Sequence, residues 1–561
     1  MTAGPAAAEH AAPFDALLSD AALGPIRRWL PGPAGARLLR SLASRPRTVA
    51  GRLASLGAEL AKVARGSSEL EPAKGDRRFT DQAWAGNPVL HRILQAYLAT
   101  GRTVESLVDD AGLDWRTTQR LRFLAANLVA AASPSNSPLL NPAVLKATID
   151  SGGRNFVRGL GHLAGDLATP PRIPTMVDRR AFTVGENLAV TPGAVVLRTP
   201  VFELLQYAPQ TATVRNIPLL LIPPTINKYY IADLAPGRSM IEHFVQSGQQ
   251  VFAVSWRNPD ARHAEWGLDT YGQAVLDALA AVEAIAGSER TMLAGLCSGG
   301  MICSMVMGYL AVVGDLDRIA GLTLGVTVLD ESHAGFAEAA LDPRMARLAA
   351  ARSARRGYLD GRTLAELFAW LRPDDLVWNY WVNNYLLGQD PPAFDILYWN
   401  ADTTRMAAKL HADFLRIGLE NTLVTPGAAK LLGQPVDLTA VKTDAYVVAG
   451  IADHICPWQS CYRTTQLLGG DTRFVLSTSG HIAALVNPPT NAKARFRVNE
   501  SNPVEAGEWL AAARTETGSW WEHYVGWLKE RSGPDRDAPA QLGGTGHPVL
   551  GPAPGTYVCE K

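Results

Sequence analysis

The segment Thr291-Met292-Leu293-Ala294-Gly295-Leu296-Cys297-Ser298-Gly299-Gly300 decides how the rest of the chain is read. Residues 291–295 are short and apolar, as a buried parallel strand requires. Residues 300–313, GMICSMVMGYLAVV, have the length and composition of a buried helix. A strand that turns at once into a helix leaves no room for a Cβ on either side of the residue at the turn, so glycines flank it. That residue is Cys297. Its thiol stands at a helix N-terminus, whose partial positive charge favours the thiolate, the reactive form. A bare G-x-C-x-G is a weak sign in a chain with 50 glycines. Its place between such a strand and such a helix gives it weight.

Read in this way the segment is a nucleophile elbow with cysteine where most α/β-hydrolases carry serine, and it predicts that fold. The triad of the fold runs nucleophile, acid, histidine along the chain, the last two on loops after later strands. The apolar run 445–449 ends at Gly450 and is followed by Asp453, and the run 473–477 leads into Ser479-Gly480-His481. Both loops fall at the carboxyl edge of the sheet, where open α/β sheets place their sites. Asp453 then holds the imidazole of His481, and His481 activates Cys297. His454, beside the acid, is a supporting residue at most. A cysteine inside a helix is usually an inert core residue, and Cys303 is read so.

The chain as a whole sets limits. Its 561 residues allow more than one domain and an ample core. Lys plus Arg and Asp plus Glu number 53 each, so no net field draws nucleic acid or an anionic membrane. Five cysteines, with no paired C-x-x-C, give neither a disulfide scaffold nor a metal site, and they suit a reducing cytoplasm. The N-terminus lacks the basic and apolar regions of a signal peptide, and no apolar run approaches a membrane span. A cytoplasmic protein is expected.

Organisation changes along the chain. Residues 1–175 read as a helical N-terminal domain, its first seventy or so residues expected to be disordered in part. Asn87-Pro88 is a helix start, followed by Val89, Leu90, Ile93, Leu94, Tyr97 and Leu98 on one face, and a second amphipathic helix is predicted over 115–129. Residues 176–561 read as the α/β-hydrolase domain, with strands near 195–198, 219–222, 251–256, 291–295 and 322–329 alternating with helices. The alternation stops for about a hundred residues, so 331–440 is read as a cap insertion. It holds Trp370, Trp378, Tyr380, Trp381, Tyr385, Tyr398 and Trp399. Aromatics at this density mean either core and interface, or a lid that excludes water from the site. A Trp-containing helix is predicted over 509–529. Of the loop 223–230, PPTINKYY, the fold uses one backbone N–H as an oxyanion donor beside that of Ser298. Prolines have none, which leaves Thr225, Ile226 or Asn227, and Ile226 is the choice made here.

These residues carry a family resemblance. The segments DRRFTDQAW (76–84), PPTINKYYIADL (223–234), GLCSGG (295–300), LRPDDLVWNYWVNNYLLG (371–388), PPAFDILYWNADTTRM (391–406), DHICPWQSCYR (453–463) and SGHIAALVNPP (479–489) resemble those of polyhydroxyalkanoate synthases. The likeness runs from Asp76 to the C-terminus. It implies polymerisation of (R)-3-hydroxyacyl-CoA into polyester with release of CoA through an acyl-cysteine. Cys297 is then the nucleophile, Asp453 its acid partner and His481 the base. It also implies a homodimer working at the surface of polyester granules, with granule-associated proteins as partners. No metal or other cofactor is implied, the substrate being a CoA thioester. The CoA phosphates call for cationic neighbours, and Arg257 (in the further matched segment VSWRNPD, 254–260), Lys228 and Arg372 are the candidates, each more readily read as structural than as a CoA contact. Cys297-Ser298 and DHICPWQSCYR look more like the medium-chain type (class II) than the short-chain type (class I). Where the medium-chain pattern often has Gln two residues after the histidine, Ala483 stands here. The same residues suit a cysteine thioesterase, hydrolase or polyester depolymerase, and a non-catalytic granule protein is the alternative of another class. A scaffold, however, has no need of all three site residues.

Overall fold

The structure, a computed structural model, describes residues 32–331, 343–453 and 455–561. Of these, residues 32–178 with 362–394 form one compact unit, and 179–331, 343–361 and 395–561 form another. The first unit is helical, built on α1 (Pro46–Arg65), α2 (Pro88–Asp110), α3 (Trp115–Ala131) and α4 (Arg154–Ala168). Helix α2 begins where its sequence predicts. The Asn87 side chain accepts hydrogen bonds from the Val89 and Leu90 N–H groups, and Pro88 opens the first turn, where its missing N–H costs nothing. Leu94 on its apolar face packs with Phe79 and Trp84, whose rings meet edge to face at 5.2 Å.

Residues 362–394 complete this helical unit. Trp370, Trp378, Trp381 and Tyr385 form a chain of edge-to-face rings with centroids 6.3, 6.0 and 5.4 Å apart. Trp381 Nε1 donates to the Asn136 carbonyl at 3.3 Å, and the Tyr385 hydroxyl donates to Asp166 at 2.7 Å. Helix α4 comes so close that a Cβ on Gly159 would stand 1.9 Å from the Tyr385 carbonyl oxygen. Tyr385 is buried and the three tryptophans are half-buried, so this group packs within the helical unit, whereas Tyr398 and Trp399 belong to the other unit.

The second unit is built on an 11-stranded sheet. Its strands in chain order are β1 (Gly193–Arg198), β2 (Phe202–Tyr207), β3 (Leu219–Ile222), β4 (Val251–Trp256), β5 (Thr291–Leu296), β6 (Ile319–Gly325), β7 (Ala445–Gly450), β8 (Thr472–Ser477), β9 (Arg495–Val498), β10 (Arg514–Thr517) and β11 (Gly551–Pro552). Across the sheet they run β10-β9-β8-β7-β6-β5-β3-β4-β2-β1-β11. Strands β3 to β8 are mutually parallel, and β2 and β9 pair antiparallel at either side of them. This is the α/β-hydrolase order. Every residue of β3, β5 and β7 is buried, as continuous apolar runs in a parallel sheet must be when helices cover both faces. Helices α5 (Leu268–Ala286) and α6 (Ser298–Val313) are two of those covers.

Two elements differ from the sequence reading. The strand expected over 322–329 is Ile319–Gly325: Val326 has φ 44°, and the chain leaves the sheet there. The single helix expected over 509–529 is two, Ala506–Ala512 and α7 (Trp520–Arg531), with edge strand β10 between them. Gly518 at φ 108° turns the chain, and Ser519 caps α7 by accepting from the Trp521 N–H. Among the described residues, no helix is long and apolar enough to cross a membrane.

Candidate active site

Cys297 sits between β5 and α6 with φ 50° and ψ −120°, a conformation that costs about 1–3 kcal/mol for a residue with a side chain. The neighbouring glycines make the turn feasible. A Cβ on Gly295 would stand 2.5 Å from the Gly300 Cα, one on Gly299 2.4 Å from the Pro223 carbonyl oxygen, and one on Gly300 2.1 Å from Thr327 Oγ1. The Cys297 N–H donates to the Gly325 carbonyl at 2.8 Å, and Thr327 Oγ1 donates to the Cys297 carbonyl at 3.3 Å. The strain is thus held from both sides, and the thiol is only half-buried.

Asp453 and His481 come from the loops after β7 and β8, as the chain order predicts. Asp453 is 2% exposed, a cost that three hydrogen bonds offset. Its Oδ1 accepts from the Ile455 and Cys456 N–H groups, both at 2.8 Å, and its Oδ2 faces His481 Nδ1 at 2.7 Å. The two loops are tied by the Ala452 N–H donating to the Ser479 carbonyl at 3.1 Å. Fixing Nδ1 on the carboxylate turns the other ring nitrogen toward Cys297. His454 lies outside the described residues.

Cys456 is the site residue that sequence reading missed. Its Sγ, the Cys297 Sγ and a nitrogen of His481 all lie within 4.8 Å of one another. The tight turn that closes on Asp453 Oδ1 brings Cys456 there, and its position three residues after the acid was the available signal. A hydrogen bond from Cys456 is the largest cause lowering the Cys297 thiol; burial opposes it, and His481 and the Ser298 N–H add to the lowering, bringing it to about 5. Cys456 is correspondingly pushed well up, by that hydrogen bond first and by burial second. Burial also works against a charge on His481, but the carboxylate of Asp453 outweighs it, and with Cys297 raises the imidazole to about 10. Both shifts act in the direction that favours thiolate beside imidazolium. Cys303, two turns along α6 and fully buried, is pushed the other way by burial alone.

The oxyanion side is also narrowed. The Thr225 N–H donates to Ser298 Oγ at 2.9 Å and is spent there. With two prolines before it, Ile226 and Asn227 remain, and Ile226 is buried in the loop after β3. The three cations proposed for CoA each have structural partners. Lys228 Nζ is buried between Asp402 at 3.1 Å and the Val558 carbonyl at 2.5 Å. Arg257 stacks on Tyr557 at 4.0 Å and pairs with Glu560 at 3.2 Å. Arg372 belongs to the helical unit and pairs with Asp375. The geometry joins Cys297, His481 and Asp453 into one relay.

Comparison with known proteins places the chain in a family. Residues 75–244 match the family described as Poly-beta-hydroxybutyrate polymerase (PhaC) N-terminus, and 218–488 match the alpha/beta hydrolase fold. Poly(3-hydroxyalkanoate) polymerase 2 of Ectopseudomonas oleovorans is 45% identical over 92% of this chain and 92% of its own length. Poly(3-hydroxyalkanoate) polymerase 1 of the same organism is 43% identical over 93% of each chain. The Poly(3-hydroxyalkanoate) polymerase subunit PhaC of Cupriavidus necator is 40% identical over 89% of this chain and 85% of its own. At such identity over nearly the whole length, the chain belongs to the poly(3-hydroxyalkanoate) polymerases, enzymes of the acyltransferase type.

Proposed function

We propose that this enzyme joins (R)-3-hydroxyacyl groups from their CoA thioesters into polyester, through an acyl group held on Cys297. The observation that carries this reading is the thiol at the elbow, lowered and aligned with His481 and Asp453. Attack of the Cys297 thiolate on the thioester carbonyl exchanges one thioester for another at nearly equal free energy. The oxyanion that forms lies toward the Ser298 and Ile226 N–H groups. It collapses with expulsion of the CoA thiolate, which takes the proton from His481. His481, now neutral, removes the proton from the 3-hydroxyl of a second monomer or of the growing chain. The alkoxide attacks the acyl-cysteine carbonyl, an ester bond forms, and the thiolate returns. Asp453 keeps the imidazole oriented and stabilises its charged form throughout. A serine nucleophile would drop to an oxyester and lose the activation that drives the second step. The reaction so written uses no metal or other cofactor.

We place this chemistry in the cytoplasm at a polyester surface, the enzyme acting as a homodimer with granule-associated proteins nearby. Support for the contact with polyester comes from Leu145 and Ile149 on the helix Pro142–Ser151 and from Val157, Leu160 and Leu167 on α4, apolar side chains between 39% and 81% exposed. The test supplies purified enzyme with 3-hydroxyacyl-CoA of short and medium chain length, follows CoA release with a thiol reagent and sizes the product. High-mass polyester is the expected result, and the preferred chain length shows what Ala483 contributes. CoA release with free 3-hydroxy acid alone would replace this reading with a thioesterase. Absence of an acyl label on Cys297 would replace it with a non-catalytic granule protein.

A further inference from the structure

The space in front of Cys297 holds three soft donors, one more than the relay uses. Cys297 Sγ, Cys456 Sγ and a His481 nitrogen lie within 4.8 Å of one another. Because His481 Nδ1 is engaged by Asp453 Oδ2 at 2.7 Å, the nitrogen left for the thiols is Nε2. We infer that Cys297, Cys456 and His481 form a binding site for a thiophilic divalent ion of the zinc class, whose occupancy switches the enzyme off.

The donor set and its spacing suit that ion. Zinc takes thiolate sulfur at about 2.3 Å and imidazole nitrogen at about 2.0–2.1 Å, which puts tetrahedral ligands about 3.5–3.8 Å apart. Three donors already within 4.8 Å reach that arrangement by side-chain movements of about an ångström. Three protein ligands leave a fourth position for water or a free thiol. Asp453 behind His481 supplies the carboxylate that zinc-binding histidines characteristically carry on their other nitrogen. Binding requires both sulfurs as thiolates and the imidazole neutral, so protons leave the site as the dication enters. The ion takes both the nucleophile and the base, so occupancy and turnover exclude one another. The hydrogen bond from Cys456 that holds the thiolate in the working enzyme and its service as a ligand use the same sulfur. None of this depends on what the enzyme makes from its substrate.

The test titrates the full-length protein, carrying Cys559→Ala to remove the exposed thiol, with Co²⁺ and then displaces it with Zn²⁺. The expected result is one tetrahedral Co²⁺ per chain with a two-thiolate charge-transfer band, displaced by stoichiometric Zn²⁺. Zinc should also protect Cys297 from alkylation in the same stoichiometric range. Cys456→Val should halve the charge-transfer intensity and weaken zinc binding, with Cys456→Ser as the second variant should the first fail to fold. Asp453→Asn should keep both thiolates in the spectrum but lower affinity by about 10–100-fold. Cys461→Ala and Cys303→Ala should leave the spectrum unchanged. Wild-type affinity and band intensity in the Cys456 variants, or loss of the band in Cys461→Ala, would overturn the site. Polymer formation plays no part in the titration, so its failure and that of the polymerase reading are separable.

Discussion

The elbow at 291–313 and the aromatic segment at 370–385 are the two most strongly patterned stretches of this chain, and they do opposite work. At the elbow, bulk has been removed so that one strained thiol can stand at the end of a strand. In the aromatic segment bulk is concentrated, and four large rings interlock at centroid distances of 5.4–6.3 Å. One region gives up conformational comfort for reactivity. The other gains stability from buried area. If that contrast is right, substitutions in the two regions should separate chemistry from stability.

The largest effect belongs to Cys297→Ala. CoA release should fall by at least about 10⁴-fold, as for other nucleophiles acting within a catalytic unit. The unfolding midpoint should barely move, because a half-buried sulfur contributes little packing. Appreciable turnover in the variant would end the nucleophile assignment. The counterpart is Tyr385→Ala in the helical unit. It removes a buried ring and the hydroxyl that donates to Asp166, and should cost that unit about 3–5 kcal/mol. Hydrogen exchange along α4 is the measurement, and alkylation of Cys297 in the folded enzyme should keep its rate. Equal loss of both would mean that the regions are not separable in this way.

The two cysteines of the elbow region sharpen the contrast within a single helix. Cys297 is brought down to about 5 and Cys303 is pushed up by burial. A lowered thiol is ionised above its pKa, so Cys297 alkylation should hold its rate from neutral pH downward and fall only as pH passes through about 5. At pH 7 an ordinary thiol with a value of 9.0 is only about one-hundredth ionised, but a thiolate of lower pKa is also the weaker nucleophile, so the mark of native Cys297 is a rate that stays flat below neutral pH while that of the denatured thiol falls. Cys303 should stay unlabelled until unfolding. A Cys297 profile that tracks an ordinary thiol would mean that Cys456 and His481 do not hold the thiolate.

The same contrast explains what could be read from sequence. Elbow, acid and histidine were legible because each is fixed by a strand that ends and a chain that must turn, which is local information. The fold followed from the apolar runs of β3, β5 and β7. The antiparallel strands β2, β9 and β10, outside the parallel centre of the sheet, were missed because their neighbours in the sheet, not their own patterns, make them strands. The aromatic segment could be recognised as packed but not assigned to its partner. Asn136, Gly159 and Asp166, which its rings and backbone contact, lie more than 200 residues earlier. Cys456 was overlooked because its role depends on a turn around Asp453 Oδ1 that only coordinates reveal.

The smallest effects come from glycines, and they bear on the claim that missing bulk matters at the elbow in particular. A Cβ at Gly299 would stand 2.4 Å from the Pro223 carbonyl oxygen and 2.6 Å from that of Ile222. These are backbone atoms at the end of β3 and cannot rotate away. Gly299→Ala should therefore cost about 1–3 kcal/mol by overpacking and displace the loop that carries Ile226, slowing acylation beyond its effect on stability. Gly161 on α4 is exposed with nothing within 4 Å of its would-be Cβ, and its backbone is helical. Gly161→Ala removes only unfolded-state freedom and should stabilise the chain by about 0.5–1 kcal/mol. Paired thermal melts, with acylation rates measured alongside, decide the point. If both substitutions moved stability in the same direction, tight packing at the elbow could no longer explain its glycines.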